Sequence, residues 1–329
     1  MSYQTGTALH IDDLLAKLSV FAVANGWTEN KVVAGTGDGA SSQMFLSKGV
    51  TFAVFEAVLD ITHPNVYHGS SQNLDHPFLR QYVATGYNGA FAVNAQPGTS
   101  LQVTTNWLLP NFVAYHFFTD PTKEYLHIVV EVTANEFRHI HVGLLDKIGA
   151  FDGGQYNQGT RPDQFFTRID DPSNFQHAYP WTKIGNGTGS NQFLRANIDG
   201  VDWKTTAALD TTSAWTPPMR HAGQGEWLEN HFDARSSGLP RTTQPNRFNS
   251  TVVLFSIPCF ISRSATQRAP VGKPFDLRVA NIKNVSPSST ITFGADDWLI
   301  FPIVQKKEPT LRDELPNSGW LAFAYLKVP

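Results

Sequence analysis

Apolar positions near the start of the chain repeat with the spacing of one helical face. Between residue 11 and about residue 25 they fall at Ile11, Leu14, Leu15, Leu18, Phe21 and Ala22, which is the i, i+3, i+4, i+7 spacing of an amphipathic helix. Asp12 and Asp13 lie in the first turn, where carboxylates suit the positive end of the helix dipole, and Gly26 follows as a stop signal. The pattern predicts a helix that docks on its own domain or reaches a neighbouring subunit.

After Gly26 the period of the apolar positions changes to two. This alternation predicts strands over residues 27–33, 43–47 and 51–59. The third of these is apolar on both faces apart from Glu56, which is typical of a central strand.

A hairpin is predicted from residues 112–118 and 125–133. Its second strand alternates, so one face carries Leu126, Ile128, Val130 and Val132, and the other carries His127, Glu131 and Thr133. This is the pattern of a half-buried antiparallel strand. The expected hairpin register places His116 opposite His127, and a third strand over 136–144 continues the meander.

Residues 145–250 are dense in Gly, Asn, Asp, Pro, Gln and Thr, which predicts sparse regular structure. The aromatic residues of this segment indicate order, because disordered segments are poor in aromatics. A long ordered loop region is typical of binding or of contact with a neighbouring subunit. The predicted assembly interface combines this region with the helix: Leu14, Leu18, Phe21, Trp181, Trp203, Trp215 and Trp227. The alternative is that these tryptophans pin the loops to their own β-body.

Strands are predicted again over 251–260, 275–279, 289–293, 297–304 and 318–328. The predicted fold is mainly β: an antiparallel β-sandwich or jelly-roll-like body with an N-terminal amphipathic helix and long ordered loops. The expected division is a helix region 1–26, a β-sheet part 27–144, the loop-rich excursion 145–250 and C-terminal strands 251–329, or one domain overall.

Composition and charge exclude several partners. Charged residues make up 16% of the chain, below the roughly 25% of an ordinary soluble domain. The net charge of −3 and the absence of a basic cluster longer than Lys306-Lys307 argue against binding to nucleic acid.

No window of about 18 apolar residues predicts membrane insertion, and the start has no secretory pattern, so we expect folding in a cytosol. The single cysteine, Cys259, excludes an intrachain disulfide or a multi-cysteine zinc site and is expected to be a buried hydrophobe.

Motifs of common enzyme classes are missing from the sequence. It contains no nucleophile elbow, phosphate-binding loop, dinucleotide-binding glycine motif or His-Glu-x-x-His. A glycan-cleaving carboxylate pair remains an alternative, because its two members can be far apart in sequence. The candidate carboxylates of the loop region are Asp163, Asp170, Asp171, Asp199, Asp202, Glu226, Glu229 and Asp233.

The most specific chemical feature is the pair His139 and His141. Residues two apart on a strand point to one side, so both imidazoles share a face and a metal could bridge them. His116 and His127 would be further ligands in the expected register. Phe137 shares that face, however, and histidines on the wetter face of a strand need no metal. We therefore predict no functional metal and no cofactor. Residues 197–202 resemble a calcium loop but lack its full ligand spacing.

Three blocks of sequence carry a family resemblance. They are Tyr3-Gln-Thr-Gly-Thr-Ala with Asp12-Asp-Leu-Leu-Ala-Lys-Leu18 and Asn25-Gly-Trp-Thr28; Tyr125-Leu-His-Ile-Val-Val-Glu-Val132 with Phe137-Arg-His-Ile-His141 and a glycine turn at Gly153-Gly-Gln-Tyr156; and Trp298-Leu-Ile-Phe-Pro302 with Gly319-Trp-Leu-Ala-Phe-Ala-Tyr325. Together they resemble an uncharacterised family of structural proteins encoded in tail gene clusters of phages and prophages.

The resemblance implies a non-enzymatic virion component and transfers no catalytic residue. We expect a subunit of the tail or baseplate, assembled in the bacterial host cytoplasm, whose partners are copies of itself and other tail proteins. The alternatives are a neck or collar component, an adhesin of the tail tip or fibre that binds host-surface polysaccharide, and a polysaccharide depolymerase. A glycan-binding role would use the tryptophan-bearing loops, because aromatic faces pack against sugars.

Overall fold

The computed structural model describes residues 1–35, 42–58, 78–100, 103–105, 114–160, 192–197, 203–205, 249–262, 268–303, 305–306 and 321–328. Within these ranges the elements in chain order are β1 (Ser2–Gly6), α1 (Ile11–Ala24), β2 (Thr28–Val33), β3 (Ser42–Lys48), β4 (Thr51–Val58), β5 (Phe78–Ala84), a short 3-10 helix (Val93–Ala95), β6 (Val103–Thr105), β7 (Ala114–Thr119), β8 (Tyr125–Thr133), β9 (Glu136–Leu144), β10 (Asp146–Lys147), β11 (Gly153–Gly159), β12 (Gln192–Ala196), β13 (Trp203–Thr205), β14 (Leu254–Ser256), β15 (Cys259–Ser262), β16 (Arg268–Lys273), β17 (Leu277–Asn281), β18 (Thr290–Phe293), β19 (Asp296–Pro302) and β20 (Leu321–Val328).

The strands form four antiparallel sheets. The middle sheet has the order β1-β7-β8-β9-β11-β12-β13. The helix-side sheet has the order β2-β3-β4-β5-β6, and the outer sheet has the order β14-β17-β20-β19-β18. A small sheet contains β10, β16 and β15. The prediction of a mainly β, antiparallel, sandwich-like body with one N-terminal helix is confirmed.

The sheets stack in layers with a core on each side of the middle sheet. The helix-side core lies between the middle sheet, α1 and the helix-side sheet, and it is mostly aliphatic, with residues such as Leu18, Leu46 and Val130. The outer core lies between the middle, outer and small sheets, and it is rich in aromatic rings such as Phe118, Phe301 and Tyr325. The middle sheet is therefore buried on both faces.

Helix α1 begins and ends close to the predicted residues. His10 is its N-cap, with Nδ1 accepting a hydrogen bond from the backbone N–H of Asp13 at 3.2 Å. At the other end, the Asn25 side chain donates to the carbonyl of Phe21, and Gly26 adopts a φ of +82°, where glycine is favoured. The predicted apolar face packs into the helix-side core. The helix therefore docks on its own domain.

Two predictions about individual strands are confirmed. Strand β4, apolar apart from Glu56, is the central strand of the helix-side sheet. Its Glu56 is buried but accepts a hydrogen bond from Arg80 at 3.1 Å, which satisfies the carboxylate. On β8, the predicted apolar face enters the helix-side core: Leu126, Ile128, Val130 and Val132.

The prediction of sparse regular structure after residue 145 is wrong for the first part of that segment. The stretch expected to be a glycine turn forms β11, an interior strand of the middle sheet between β9 and β12. Gly153 is required by close packing, because a Cβ there would lie 2.2 Å from the carbonyl oxygen of Arg195. The polar residues are buried because they have partners: Asn157 donates to the Gln81 carbonyl and to Ser100 Oγ, both at 3.0 Å.

The predicted register of the β7–β8 hairpin is also wrong, by two residues. His116 lies opposite Val129, and His127 lies opposite Phe118 on one side and His141 on the other. The turn between the strands has five residues that belong to neither strand, and Asp120 shapes it by accepting hydrogen bonds from Thr122. This turn geometry sets the register.

Candidate functional site

The outer face of the middle sheet carries a row of polar side chains that run across its strands. Strand pairing places His127 beside His141, and His141 beside Gln158, with His139 two residues from His141 on the same face. All four side chains are completely buried in the outer core. The expectation that His139 and His141 share a face is confirmed, but the expectation of a wetter face is wrong, because the outer sheet covers it.

Tyr325 on β20 ties the two predicted histidines together. Its hydroxyl lies 2.6 Å from His139 Nδ1 and 2.7 Å from His141 Nε2. The other ring nitrogen of His139, Nε2, lies 2.8 Å from the carbonyl oxygen of Pro302 on β19. Two strands of the outer sheet are therefore held to one strand of the middle sheet by these polar contacts.

The partners fix the direction of each hydrogen bond. A carbonyl oxygen can only accept, so a neutral His139 must carry its hydrogen on Nε2 and donate it to Pro302. Nδ1 of His139 is then an acceptor, and Tyr325 donates to it. Since the single hydroxyl hydrogen is used, the Tyr325 oxygen accepts from His141, which must carry its hydrogen on Nε2. The result is a one-way chain from His141 through Tyr325 and His139 to the Pro302 carbonyl.

His127 extends the cluster toward β11. Its Nε2 lies 3.0 Å from the hydroxyl of Tyr156, and its ring packs edge-on against His141 with the ring centroids 5.0 Å apart. Nδ1 of His127 has no hydrogen-bond partner in the described structure, and the same holds for both amide atoms of Gln158. Each unpaired buried polar atom costs about 1–3 kcal/mol. The outer core therefore carries an energetic cost of unpaired polar atoms that an apolar core of the same size would not have.

Burial determines the charge state of these imidazoles. Removal from water lowers the pKa of His127 and of His139 to about 3, because the charged form loses its hydration. The pKa of His141 lies well below the ordinary 6.5, through burial first and then through the neighbouring rings of His127 and His139. All three imidazoles are neutral at pH 7.

A metal has little room in this arrangement. Both nitrogens of His139 are engaged, one by the Pro302 carbonyl and one by the Tyr325 hydroxyl. Across the part of the chain that the structure describes, no group of three or more His, Cys, Asp or Glu side chains is placed to hold a metal ion. The chemistry that the geometry supports is hydrogen bonding between layers.

A second polar contact joins the middle and outer layers at one end. The Tyr125 hydroxyl donates to Asp276 at 2.8 Å, and Lys123 Nζ lies 2.7 Å from the same carboxylate oxygen. The pKa of Tyr125 is raised strongly, first by burial and then by the negative charge of Asp276. The hydroxyl therefore keeps its hydrogen and remains a donor.

His116 lies on the same face but apart from the cluster. Its Nδ1 lies 2.9 Å from the Tyr3 hydroxyl, and its ring packs on Phe301 with centroids 4.5 Å apart. Burial lowers its pKa to about 4. His116 is thus a fourth neutral histidine of the outer core, and not a ligand beside His127 as the predicted register required.

The helix residues assigned to an assembly interface lie in the chain's own core. Leu14, Leu18 and Phe21 are at most 4% exposed, and they pack against the helix-side and middle sheets. That assignment is corrected: side chains buried in their own domain cannot contact a neighbour, because the amphipathic pattern reports burial and not the identity of the surface that covers it.

Trp203 is the only one of the four candidate tryptophans in the described ranges. Its ring is partly buried against the helix-side core, and Nε1 donates to the carbonyl of Gly98 at 2.9 Å. Trp203 therefore attaches β13 to its own β-body, as the alternative interpretation held. Trp181, Trp215 and Trp227 lie outside the described residues, and so do the candidate carboxylates of the loop region and most of the possible calcium loop.

The opposite face of α1 was not singled out by sequence reasoning. Ala16, Val20, Val23 and Ala24 are all exposed and follow the spacing of one helical face. Val20 is 70% exposed and Val23 is 49% exposed. The signal was present in the sequence, because a helix docked by one face normally carries charged or polar residues on the other. This exposed apolar stripe departs from that pattern.

No family model matches the chain, and the search of curated proteins finds no match. Among the described residues, no helix is long and apolar enough to cross a membrane.

Proposed function

We propose that the chain is a non-enzymatic structural subunit of a phage virion, in the tail or baseplate, that works through contacts with copies of itself and with other tail proteins. One support is the position in the fold of the sequence blocks that carry the family resemblance. The resembling blocks fold into β1 and α1, β8, β9 and β11, and β19 and β20. The resemblance thus falls on α1, on four strands of the middle sheet and on two adjacent strands of the outer sheet.

The observation that carries the proposal is the exposed stripe of α1, formed by Ala16, Val20, Val23 and Ala24. Single exposed apolar residues are common on any protein surface. Contiguous exposed apolar patches mark interaction sites, and these four residues lie together on one helical face with no charged residue among them. Asp13 and Lys17 form an ion pair at 2.6 Å, which adds a polar margin at one end. The stripe is a surface for another protein, and a neighbouring subunit is the partner that a virion role supplies.

The buried histidines support a non-enzymatic role. His127, His139 and His141 are the strongest chemical candidates of the sequence, and all are sealed between two sheets with no exposed surface. A catalytic base must come within hydrogen-bond distance of its substrate. In the described fold, these imidazoles contact only the protein's own side chains and backbone.

The test is incorporation of variants into particles. Val20→Asp places a charge in the exposed stripe, and Ile148→Asp places the same charge at another exposed apolar position, where Ile148 is 54% exposed. We expect both variants to fold with unchanged melting temperature, because exposed substitutions cost at most about 0.5 kcal/mol. We expect Val20→Asp to be lost from purified particles by at least about tenfold, which corresponds to about 1.4 kcal/mol of binding, and Ile148→Asp to be incorporated normally.

Three outcomes would count against the proposal. Equal incorporation of both variants would exclude the α1 stripe as the assembly surface. Absence of the wild-type chain from purified particles would exclude a virion role. Loss of a host polysaccharide on incubation with the protein would favour the depolymerase alternative.

A further inference from the structure

Protonation would disrupt the polar cluster of the outer core. The chain of hydrogen bonds from His141 through Tyr325 to His139 keeps its directions when His141 takes up one proton at Nδ1, because His141 Nε2 already donates to Tyr325. A second proton makes both facing nitrogens donors, and the Tyr325 hydrogen then has no acceptor. The imidazoles are also close, with the His139 and His141 ring centroids 6.1 Å apart, so two positive charges repel at this fully buried position.

We propose that His127, His139 and His141 form an acid-sensitive clasp, in which proton uptake releases the outer sheet from the middle sheet while the helix-side core stays packed. The inference does not depend on the virion role. It rests on the position of the cluster, because the hydrogen bonds to Tyr325 and Pro302 join the two sheets that would separate.

In the described part of the chain, the carboxylates near the cluster already have partners. Among the described residues, the titratable and charged side chains packed around the cluster are His116 from β7, Tyr125 from β8, Tyr156 from β11, Cys259 from β15, Tyr325 from β20 and Asp276 from the turn before β17. The Arg138–Glu136 ion pair lies on β9 next to His139. The charge of Arg138 opposes a proton on His139, and the paired Glu136 carboxylate partly offsets that charge. The carboxylate of Asp276 is already engaged by Tyr125 and Lys123.

Acid destabilises the closed fold because burial lowers the pKa values of the three histidines. In the closed fold the pKa values of His127 and His139 are about 3, and the pKa of His141 lies well below 6.5. Once released to water, each imidazole has a pKa of about 6.5. The open state therefore binds more protons, and the closed state loses stability as the pH falls below about 6.5. The opening constant rises by up to about tenfold per pH unit for each proton bound.

The other layer provides an internal reference. The face of β8 toward the helix side carries Leu126, Ile128, Val130 and Val132 and no titratable group. Between pH 6.5 and 5 the ordinary carboxylates remain charged, with pKa values of about 4. A change in the opening of the fold between these pH values therefore reflects protonation of histidines.

The experiment is native-state hydrogen exchange on the full chain between pH 7.5 and 5, corrected for intrinsic exchange rates. Peptides from β19 and β20 report the outer layer, and peptides from α1 and β4 report the helix side. We expect the opening constant of the outer layer to rise at least about tenfold from pH 6.5 to 5.5, while that of α1 and β4 changes little.

Histidine variants separate the effect of losing a protonation site from the effect of disturbed packing. His141→Gln removes one proton site, so the pH dependence of outer-layer opening should weaken by about tenfold per pH unit. His127→Gln makes the same test at a second position if His141→Gln does not fold. His10→Gln is the matched control, because His10 is an exposed N-cap, and it should leave the slope unchanged. A wild-type slope in both buried-histidine variants, or opening of both layers with one slope, would overturn the proposal.

Discussion

The two faces of strand β8 enter cores of different chemistry. Leu126, Ile128 and Val130 point to the helix side and pack into its mostly aliphatic cluster. Tyr125 and His127 point to the outer side, where hydroxyls and imidazoles form hydrogen bonds between sheets. Both faces are equally dry, with exposures of 0–1% for these five residues. One strand therefore supports an aliphatic layer and a polar layer at the same depth.

The alternation of apolar and polar residues along β8 therefore indicates the polarity of each face and not its exposure to solvent. The helix-side core gains stability from burial at about 25 cal/mol per Å² of apolar surface. The outer core has similar burial, but its polar atoms must find partners, and those left unpaired reduce the gain. Such a network is specific in geometry and sensitive to proton activity. The helix-side face of β8 carries no titratable group and lacks this sensitivity to protons.

The largest effect is expected from a charge placed in the aliphatic core. Leu18→Asp puts a carboxylate at a position that is 1% exposed among apolar neighbours, and should lower the free energy of unfolding by about 3–5 kcal/mol. Chemical denaturation measures it. The matched control is Val20→Asp on the exposed face of the same helix, with a change within about 0.5 kcal/mol. Equal effects of the two variants would contradict the described docking of α1.

A smaller effect is expected from one hydroxyl in the polar core. Tyr325→Phe keeps the ring but leaves His139 Nδ1 and His141 Nε2 without their shared partner, and should cost about 1–3 kcal/mol. Tyr115→Phe is the counterpart on the helix side, where the hydroxyl accepts only a part-buried hydrogen bond from Gln4. We expect that variant to cost about 0.5–1.5 kcal/mol. A larger loss for Tyr115→Phe than for Tyr325→Phe would reverse the assigned difference between the cores.

The elements governed by local pattern could be predicted from the sequence. Helix α1 was predicted within one residue of its observed end, because its apolar spacing and Gly26 are local signals. Strand β9 was predicted with its observed bounds. Sequence also placed His139 and His141 on one face, since that follows from strand geometry alone.

Features set by long-range partners could not be predicted. Burial of His139 depends on Tyr325 and Pro302, which follow it by 186 and 163 residues. Strand β11 has the composition of a loop, and it is a strand because Gln81 of the helix-side sheet and Ser100, which precedes β6, satisfy Asn157. The register at His116 follows the turn at Asp120 and not the histidine pattern. In each case tertiary contacts override a local preference.

The central claim is that the outer core holds neutral imidazoles with fixed tautomers, and nitrogen NMR of the histidine side chains tests it most directly. At pH 6 the account predicts that His127, His139 and His141 are uncharged, with the hydrogen of His139 and of His141 on Nε2. An exposed histidine with the ordinary pKa of about 6.5 would be mostly charged at that pH. Imidazolium signals from the three buried residues at pH 6, or a hydrogen on Nδ1 of His139, would contradict the account.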